Sequence, residues 1–553
     1  MADTQRRQTA AVKNFFDGVA AAATVAGNRV RLSREAAASV IAGSSVPDCV
    51  GAFLAKMPEA AHGAILDSVL RGMDQFKREH GFAPDASLIE QALHNATPRP
   101  LSEVAPDHGS HGLRLDSATS AHHDQLSLNP VMAATSIMAQ FAEAIPFAAY
   151  LPADIKTNEA RLAILTHQAK SAFGDYADGA SLDGIAGGGA FIDSERLCVL
   201  STNGGGQSAA LTFTVNPVAA TTTGSSGAPL LRGRTVILVN GLPVASATRA
   251  YSGSTDAISG SVTISSTTYT ITGTVNPTTG VISVSTSANL PAATKVHALA
   301  YIDFEAAPDL APVIGVEATI YNLFAKSGRA IVKTSIDALT QMQAEVGIDP
   351  RGQGLLALRA QYAQERHRRA LQKMLLVAAN NAGTWDYDLS TQIAQKDRSQ
   401  IWMNLAPIVA GVSQTMANTT VNHGVTTLYV TGELSAQVRG LPLSMFEPSG
   451  ITDRPGIYRL GRLFGLYDVY HTPWEVTGAV GGSSGQILAI GRSQDVARNP
   501  LIMGDAVAPV ILPLAMGTDF KSGDGFYTRS FTELNPHQPS AQGAALISVT
   551  NIN

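Results

Sequence analysis

The five residues Gly481-Gly-Ser-Ser-Gly485 spell Gly-x-Ser-x-Gly, the pattern in which a hydrolase presents a serine nucleophile. That chemistry needs a strained turn from a strand into a helix, with a histidine and a carboxylate close to the hydroxyl. Residues 486–490, Gln-Ile-Leu-Ala-Ile, read as a strand, so the helix is missing and Ser483 is predicted to lie in a flexible glycine-serine loop. His108, His111, His122 and His123, with Asp107 and Asp124, offer the imidazole and carboxylate groups that suit zinc and other transition metals. They fall in a polar, Pro-rich stretch that supplies no rigid scaffold, and are read as solvated side chains. Two glycine triplets, Gly187-Gly-Gly189 and Gly204-Gly-Gly206, do not open a helix bearing the Lys and Ser/Thr of a P-loop, so they mark loop boundaries and not a phosphate cradle. The run Arg366-His-Arg-Arg369 follows Glu365 in an acidic chain and is assigned to solvent or to a neighbouring subunit in preference to DNA. No residue is assigned to catalysis, to a metal or to a cofactor, and the expectation is a chain that is not an enzyme.

Composition supports that expectation. Charged residues make up 15% of the 553 positions, against about 25% in ordinary globular chains, while Ala, Gly, Ser and Thr abound. Such a surface repels itself weakly and suits packing against copies of itself. The formal charge of −5 excludes a generally basic nucleic-acid binder, so any contact with DNA is weak and local. Cys49 and Cys198 are too few for a disulfide framework and read as buried thiols in a reducing cytoplasm. The polar start, residues 1–7, lacks the organisation of a secretion signal. The most apolar run, 131–151, is interrupted by Gln140, Glu143 and Pro146, so it reads as a buried helix and turn with no membrane span.

The elements that must position these groups change along the chain. Short helices are predicted at 12–26, 34–41, 48–56, 64–79 and 87–94, the fourth with Ile65, Leu66, Val69, Leu70 and Met73 on one stripe. A polar linker follows at 97–127, and the main body begins near Leu128. Residues 202–294 are dominated by Gly, Ser, Thr and Val. Strands are predicted at 211–215, 235–239, 261–274 and 281–284, with turns at Asn240-Gly241 and Asn276-Pro-Thr-Thr-Gly280. This stretch reads as a sandwich-like or long-hairpin insertion. Residues 331–380 then follow a helical pattern, broken at Gly347-Ile-Asp-Pro350, with Leu355, Leu358, Tyr362, Leu371 and Leu375 on one face. A helix is predicted at 398–417 and a strand at 427–430, before a turn-rich remainder.

This order of segments resembles the Hong Kong 97-type major capsid fold of tailed double-stranded DNA bacteriophages, and short motifs sharpen the likeness. Ala300-Tyr-Ile-Asp-Phe-Glu-Ala-Ala-Pro-Asp-Leu310, ahead of the long helix, resembles the returning strand of the extended E-loop that feeds the spine helix in the larger contractile-tailed phages. Thr272-Gly-Thr-Val-Asn-Pro-Thr-Thr-Gly280 is similar to a β-turn repeat of E-loop insertions in that group. Gly461-Arg-Leu-Phe-Gly-Leu-Tyr-Asp-Val-Tyr470 resembles an A-domain segment. Gly485-Gln-Ile-Leu-Ala-Ile-Gly491, Ala508-Pro-Val510, Phe526-Tyr-Thr-Arg529 and Asn535-Pro536 follow the order of the closing region, so the likeness runs co-linearly over about 128–553.

The resemblance implies an α+β chain with a helical N-terminal extension (1–100), then a linker, N-arm and start of the E-loop (101–201). A β-rich insertion (202–294) and a returning E-loop strand (295–335) come next. The spine helix and P-domain (336–425) precede the A-domain and closing P-domain segments (426–553). It further implies self-assembly into pentamers and hexamers of an icosahedral head around packaged DNA, built in the bacterial host cytoplasm. Portal, scaffolding and decoration proteins are its implied partners. Some relatives crosslink a loop lysine to a neighbour's asparagine. Lys295 is the only lysine between Lys170 and Lys326 and lies at the base of the excursion, so that chemistry is not carried over. Two other readings are an adhesin or decoration protein built on the β-rich segment, and a hydrolase using Ser483.

Overall fold

The computed structural model describes residues 2–26, 29–43, 45–97, 130–201, 210–218, 227–250, 253–291, 294–346, 349–514 and 521–552. They belong to two compact units, Met1–Ile164 with Thr319–Asn553, and Leu165–Ala318. The histidines at 108–123 and the glycines at 204–206 lie outside the described residues.

The first unit starts with helices α1 (Ala2–Ala22), α2 (Arg34–Gly43), α3 (Asp48–Leu54), α4 (Glu59–His80) and α5 (Ala86–Ala96), and α6 (Pro130–Ala142) follows. The first helix begins earlier than predicted and ends before 26, because Thr24–Ala26 forms strand β1 against β2 (Arg29–Arg31). The β-branched residues at 24, 25 and 30 favour that extended backbone. In α4 the predicted stripe is buried at Ile65, Leu66, Val69 and Leu70. The helix stops at Gly81, whose φ of 79° suits a residue without a side chain and lets its N–H reach the Lys77 carbonyl. Strands β3 (Ala149–Tyr150) and β4 (Glu159–Ala169) come next.

The second unit is built on β5 (Glu195–Ser201), β6 (Ala210–Thr214), β7 (Val236–Val239), β8 (Leu242–Thr248), β9 (Asp256–Ile264), β10 (Thr267–Asn276), β11 (Val281–Thr286) and β12 (Val296–Tyr301). They form one sheet in the order β5-β12-β7-β8-β9-β10-β11-β6, every pair antiparallel. The outer strands β5 and β6 approach one another, so the sheet curls around an interior of Phe213, Ile237, Ile258, Ile271, Ile282 and Ala298. The predicted sandwich or long hairpin is thus a single rolled sheet, and the compact unit extends to both sides of 202–294. Asn240 and Gly241 adopt the positive φ, 50° and 81°, that their hairpin requires. Ser265 and Ser266 do the same at 49° and 67°, which folds the single strand expected at 261–274 into β9 and β10. At the next turn Asn276 Oδ1 accepts from the backbone N–H of Thr278 at 3.1 Å and of Thr279 at 3.2 Å.

The chain returns through β13 (Ile314–Phe324), which pairs with β4, and enters β14 (Lys326–Ser335). Residues 331–335, predicted as helix, belong to β14, where the β-branched Ile331, Val332 and Thr334 favour a strand. Helix α7 (Ile336–Gln341) precedes the 29-residue α8 (Pro350–Ala378), about 44 Å long at 1.5 Å per residue. Asp349 caps α8, its carboxylate accepting from the Arg351 N–H at 3.0 Å, and Pro350 occupies the first turn, where its missing N–H costs nothing.

After β15 (Ala382–Asp386) and α9 (Leu389–Gln392), the helix expected at 398–417 divides into α10 (Arg398–Met403) and α11 (Leu405–Thr420). Pro407 has no N–H for the Met403 carbonyl four residues back, so the turn cannot continue. The remaining elements are β16 (Val425–Val430), α12 (Gly432–Arg439), β17 (Phe446–Pro448), β18 (Tyr458–Leu463), β19 (Tyr467–His471), β20 (Ser484–Gly491), β21 (Leu501–Leu514), β22 (Lys521–Leu534), α13 (Gln538–Ala541) and β23 (Ala544–Thr550). They make a four-stranded sheet, β14-β22-β21-β3, and a seven-stranded sheet, β15-β23-β20-β16-β19-β18-β17. One core joins the early helices to α8 and to both sheets through Phe16, Val69, Phe141, Leu371, Tyr429 and Met503.

Candidate functional site

Helix α8 is tied down along its length. Arg351 pairs with Asp524 on β22, Arg359 with Glu143 after α6 at 2.9 Å, and Arg366 with Asp505 on β21 at 2.7 Å. Arg368 reaches Glu475 at 2.8 Å, and Lys373 pairs with Glu533 on β22. Most of these pairs have one exposed partner and contribute little singly. The Arg366 pair differs, because Arg366 is 7% exposed and Asp505 0%.

Asp505 is the centre of a polar knot that spans four elements. Asn95 on α5 donates to its other oxygen at 2.9 Å and to Gln140 Oε1 on α6 at 2.8 Å, while Gln91 donates to Asn95 at 2.8 Å. Burial works against the Arg366 charge, but the carboxylate of Asp505 outweighs it and holds the guanidinium above its ordinary value. This overturns, for Arg366, the expectation that the run 366–369 faces solvent or a neighbour, while Arg368 and Arg369 are exposed. Arg366 is an internal strut, His367 points to Tyr429, and Arg369 pairs with Glu365 along the helix. A buried arginine needs a buried acid, and the one it uses lies 139 residues away, beyond the reach of local pattern.

A second chain of groups runs beside the knot. His367 Nε2 lies 3.1 Å from the Tyr429 hydroxyl, Tyr429 stacks on Tyr470 at 5.3 Å, and the Tyr470 hydroxyl lies 3.0 Å from His80 Nδ1 at the end of α4. Burial pushes both imidazoles down to about 3, with further lowering of His80 from His367, Arg459 and Arg492, so both rings are neutral at neutral pH. These groups brace the body of the unit.

The other sequence candidates are dispersed. Ser483 leads directly into strand β20, so the turn at 481–485 does not enter a helix, and the Ser483 carbonyl accepts from the Ile552 N–H at 3.0 Å. Gly187 to Gly189 follow a single 3-10 turn, Gly184–Ala186, in the second unit. Cys198 is buried as expected, but Cys49 is exposed. Its place on the short, solvent-facing side of α3 is a tertiary outcome that one cysteine cannot signal. Among the described residues no three His, Cys, Asp or Glu side chains gather as metal ligands, and no helix is long and apolar enough to cross a membrane.

Several large apolar side chains are left exposed. Val313, Ile314, Val316, Ile320 and Phe324 on and before β13, and Ile331 on β14, are each more than half exposed, as are Leu356 and Leu376 on α8. Strand β14 stands at the edge of its sheet, and β13 has β4 as its sheet partner among the described residues. Exposed strand edges bearing large apolar side chains are liabilities unless another surface covers them.

No family model matches the sequence, and no curated protein matches it either. Solved structures match parts of the chain at low TM-scores. The icosahedrally averaged capsid of jumbo bacteriophage PhiKZ superposes with a TM-score of 0.37 at 8% identity, over 73% of this chain and 91% of that one. A chain from Microbacterium phage Oxtober96 gives 0.30 at 11% identity, over 59% and 93%. The capsid of Myoviridae Phage XM1 gives 0.27 at 10% identity, over 43% and 78%.

Proposed function

We propose that the chain is the major capsid protein of a tailed double-stranded DNA phage, with a Hong Kong 97-type fold, and that it acts by self-assembly and not by catalysis. The observation that carries this reading is the pairing of a braced body with a bare ribbon. Helix α8 is locked to both neighbouring sheet strands and, through Asp505 and Asn95, linked to α5 and α6, while β13 and β14 expose a row of apolar side chains that water does not favour. The ordered motifs from Ala300 to Asn535 support the same assignment.

In this reading α8 is the spine helix, β13 and β14 are the returning arm of the E-loop, and the rolled sheet is its β-rich insertion. The seven-stranded sheet, with β21 and β22 of the four-stranded sheet, carries the A-domain and closing P-domain segments. Copies meet in pentamers and hexamers, and burial of the exposed ribbon against neighbours drives association. Permanent interfaces commonly exceed about 2,000 Å², and closed symmetry lets modest contacts add around each ring. The shell encloses DNA with weak, non-specific contact and engages portal, scaffolding and decoration proteins during assembly in the bacterial host cytoplasm. Negative-stain imaging of the purified full chain tests this: closed shells, rings or tubes are expected, whereas dispersed monomers at all concentrations overturn it.

A further inference from the structure

A cavity of about 610 Å³ lies among α1, α3, α5 and Pro152. Its apolar lining includes Pro47, Phe53 and Leu93, all buried. Glu90 on α5 lines it half-buried, and Glu90 Oε1 is closed to solvent with no hydrogen-bond partner among the described residues. The other titratable or charged groups around it are Arg7, Asp48, Cys49 and Lys56, all exposed, and His94, half-buried.

A shielded carboxyl oxygen without a donor costs free energy that a bound donor restores. The volume falls within the roughly 300–1,000 Å³ of small-molecule sites, and the apolar side chains suit methylene groups. Arg7 and Lys56 disfavour a second positive charge. We propose that this cavity binds one primary ammonium group on a short aliphatic chain, with the ammonium at Glu90 and the methylenes on Phe53 and Leu93. A free alkylamine and a lysine side chain share that chemistry. Burial raises the Glu90 carboxyl to about 7, so occupancy increases as pH rises through neutrality.

Cys49 reports the occupant. Its alkylation by iodoacetamide in the full chain at pH 8, followed by mass spectrometry, is compared without and with n-pentylamine, pentanoate, or Nα-acetyl-lysine methylamide. Pentylamine at about four times its Kd slows Cys49 alkylation about fivefold, pentanoate does not, and buried Cys198 is unaffected by either. Protection by the lysine amide identifies a protein side chain as the occupant, and its failure beside pentylamine identifies a free amine. Glu90→Gln loses the protection, with unchanged far-UV circular dichroism. Ala11→Trp, which fills the cavity from α1, loses the pentylamine-induced rise in Tm. Equal protection by pentanoate, protection that survives in Glu90→Gln, or no protection by pentylamine overturns the proposal.

Discussion

Replacing Arg366 with leucine isolates the most demanding contact in the first unit. The substitution leaves the Asp505 carboxylate, 0% exposed, with the Asn95 amide as its remaining side-chain donor at 2.9 Å. Removing one member of a buried ion pair costs about 3–5 kcal/mol, because the partner's charge stays out of water without compensation. Unfolding entropy of about 2.1 cal/mol/K per residue, over a cooperative unit of roughly 400 residues, converts this into a Tm lower by about 4–6 °C. Asp505→Leu alone strands the guanidinium and falls by a similar amount. The double variant recovers most of the loss, since an apolar pair in place of a buried ion pair is often neutral or stabilising. Differential scanning calorimetry of the four proteins at pH 7 measures the cycle. A single variant within about 1 °C of the parent, or a double variant whose loss equals the sum of the singles, refutes the role given to this pair.

Three further outcomes follow from the geometry. Val316→Asp with Ile320→Asp leaves Tm unchanged but abolishes shells on negative-stain grids, because both side chains are exposed in one copy and charge opposes their burial between copies; normal particles remove the ribbon from the interface. His367, neutral and held down to about 3, contributes stability that is full above its unfolded value near 6.5 and is lost as pH falls from there towards 3, by about 1.4 kcal/mol per pH unit. His80 and His423 act with the same sign, whereas Glu90, raised to about 7, loses its contribution as pH rises from 4.5. Urea titrations at pH 6.5, 5.5 and 4.5 therefore show a shallower acid loss for His367→Gln, and an identical pH slope contradicts the assignment. Replacing 165–318 by a short Gly/Ser linker yields a folded subunit by circular dichroism, since β4 and β13 already pair and loop entropy grows slowly with length; an unfolded product shows that the second unit is needed for the first.

Local chemistry made much of this fold legible. The α4 stripe, the Asn240-Gly241 turn, the Asn276 turn and the capped start of α8 all follow from residues within a few positions of one another. The Ser265-Ser266 turn was illegible because serine carries no preference for positive φ, and the pairing of β9 with β10 imposes it. The end of β14 resembled helix because its partner, β22, lies about 190 residues downstream. A separation of 139 residues likewise hid the function of Arg366, which sequence alone placed on the surface. Exposure of the β13 and β14 side chains was equally hidden, since apolar residues in a strand read as core until the described residues show no layer packed on them.

The link between Asn95 and Asp505, 410 residues apart, also sets an order of events during synthesis. A ribosome adding about 5–20 residues per second needs roughly 20–80 s to move from one to the other. Throughout that interval α4 and α5 have apolar faces and no β21 to close over them, a task suited to a chaperone. Strand β14 waits for β22 in the same way, through all ten residues from Lys326↔Ser530 to Ser335↔Lys521. The exposed edge strand β14 is therefore paired only when translation is nearly complete. Length of the message between the two halves acts as a timer, separating the start of the fold from its closure.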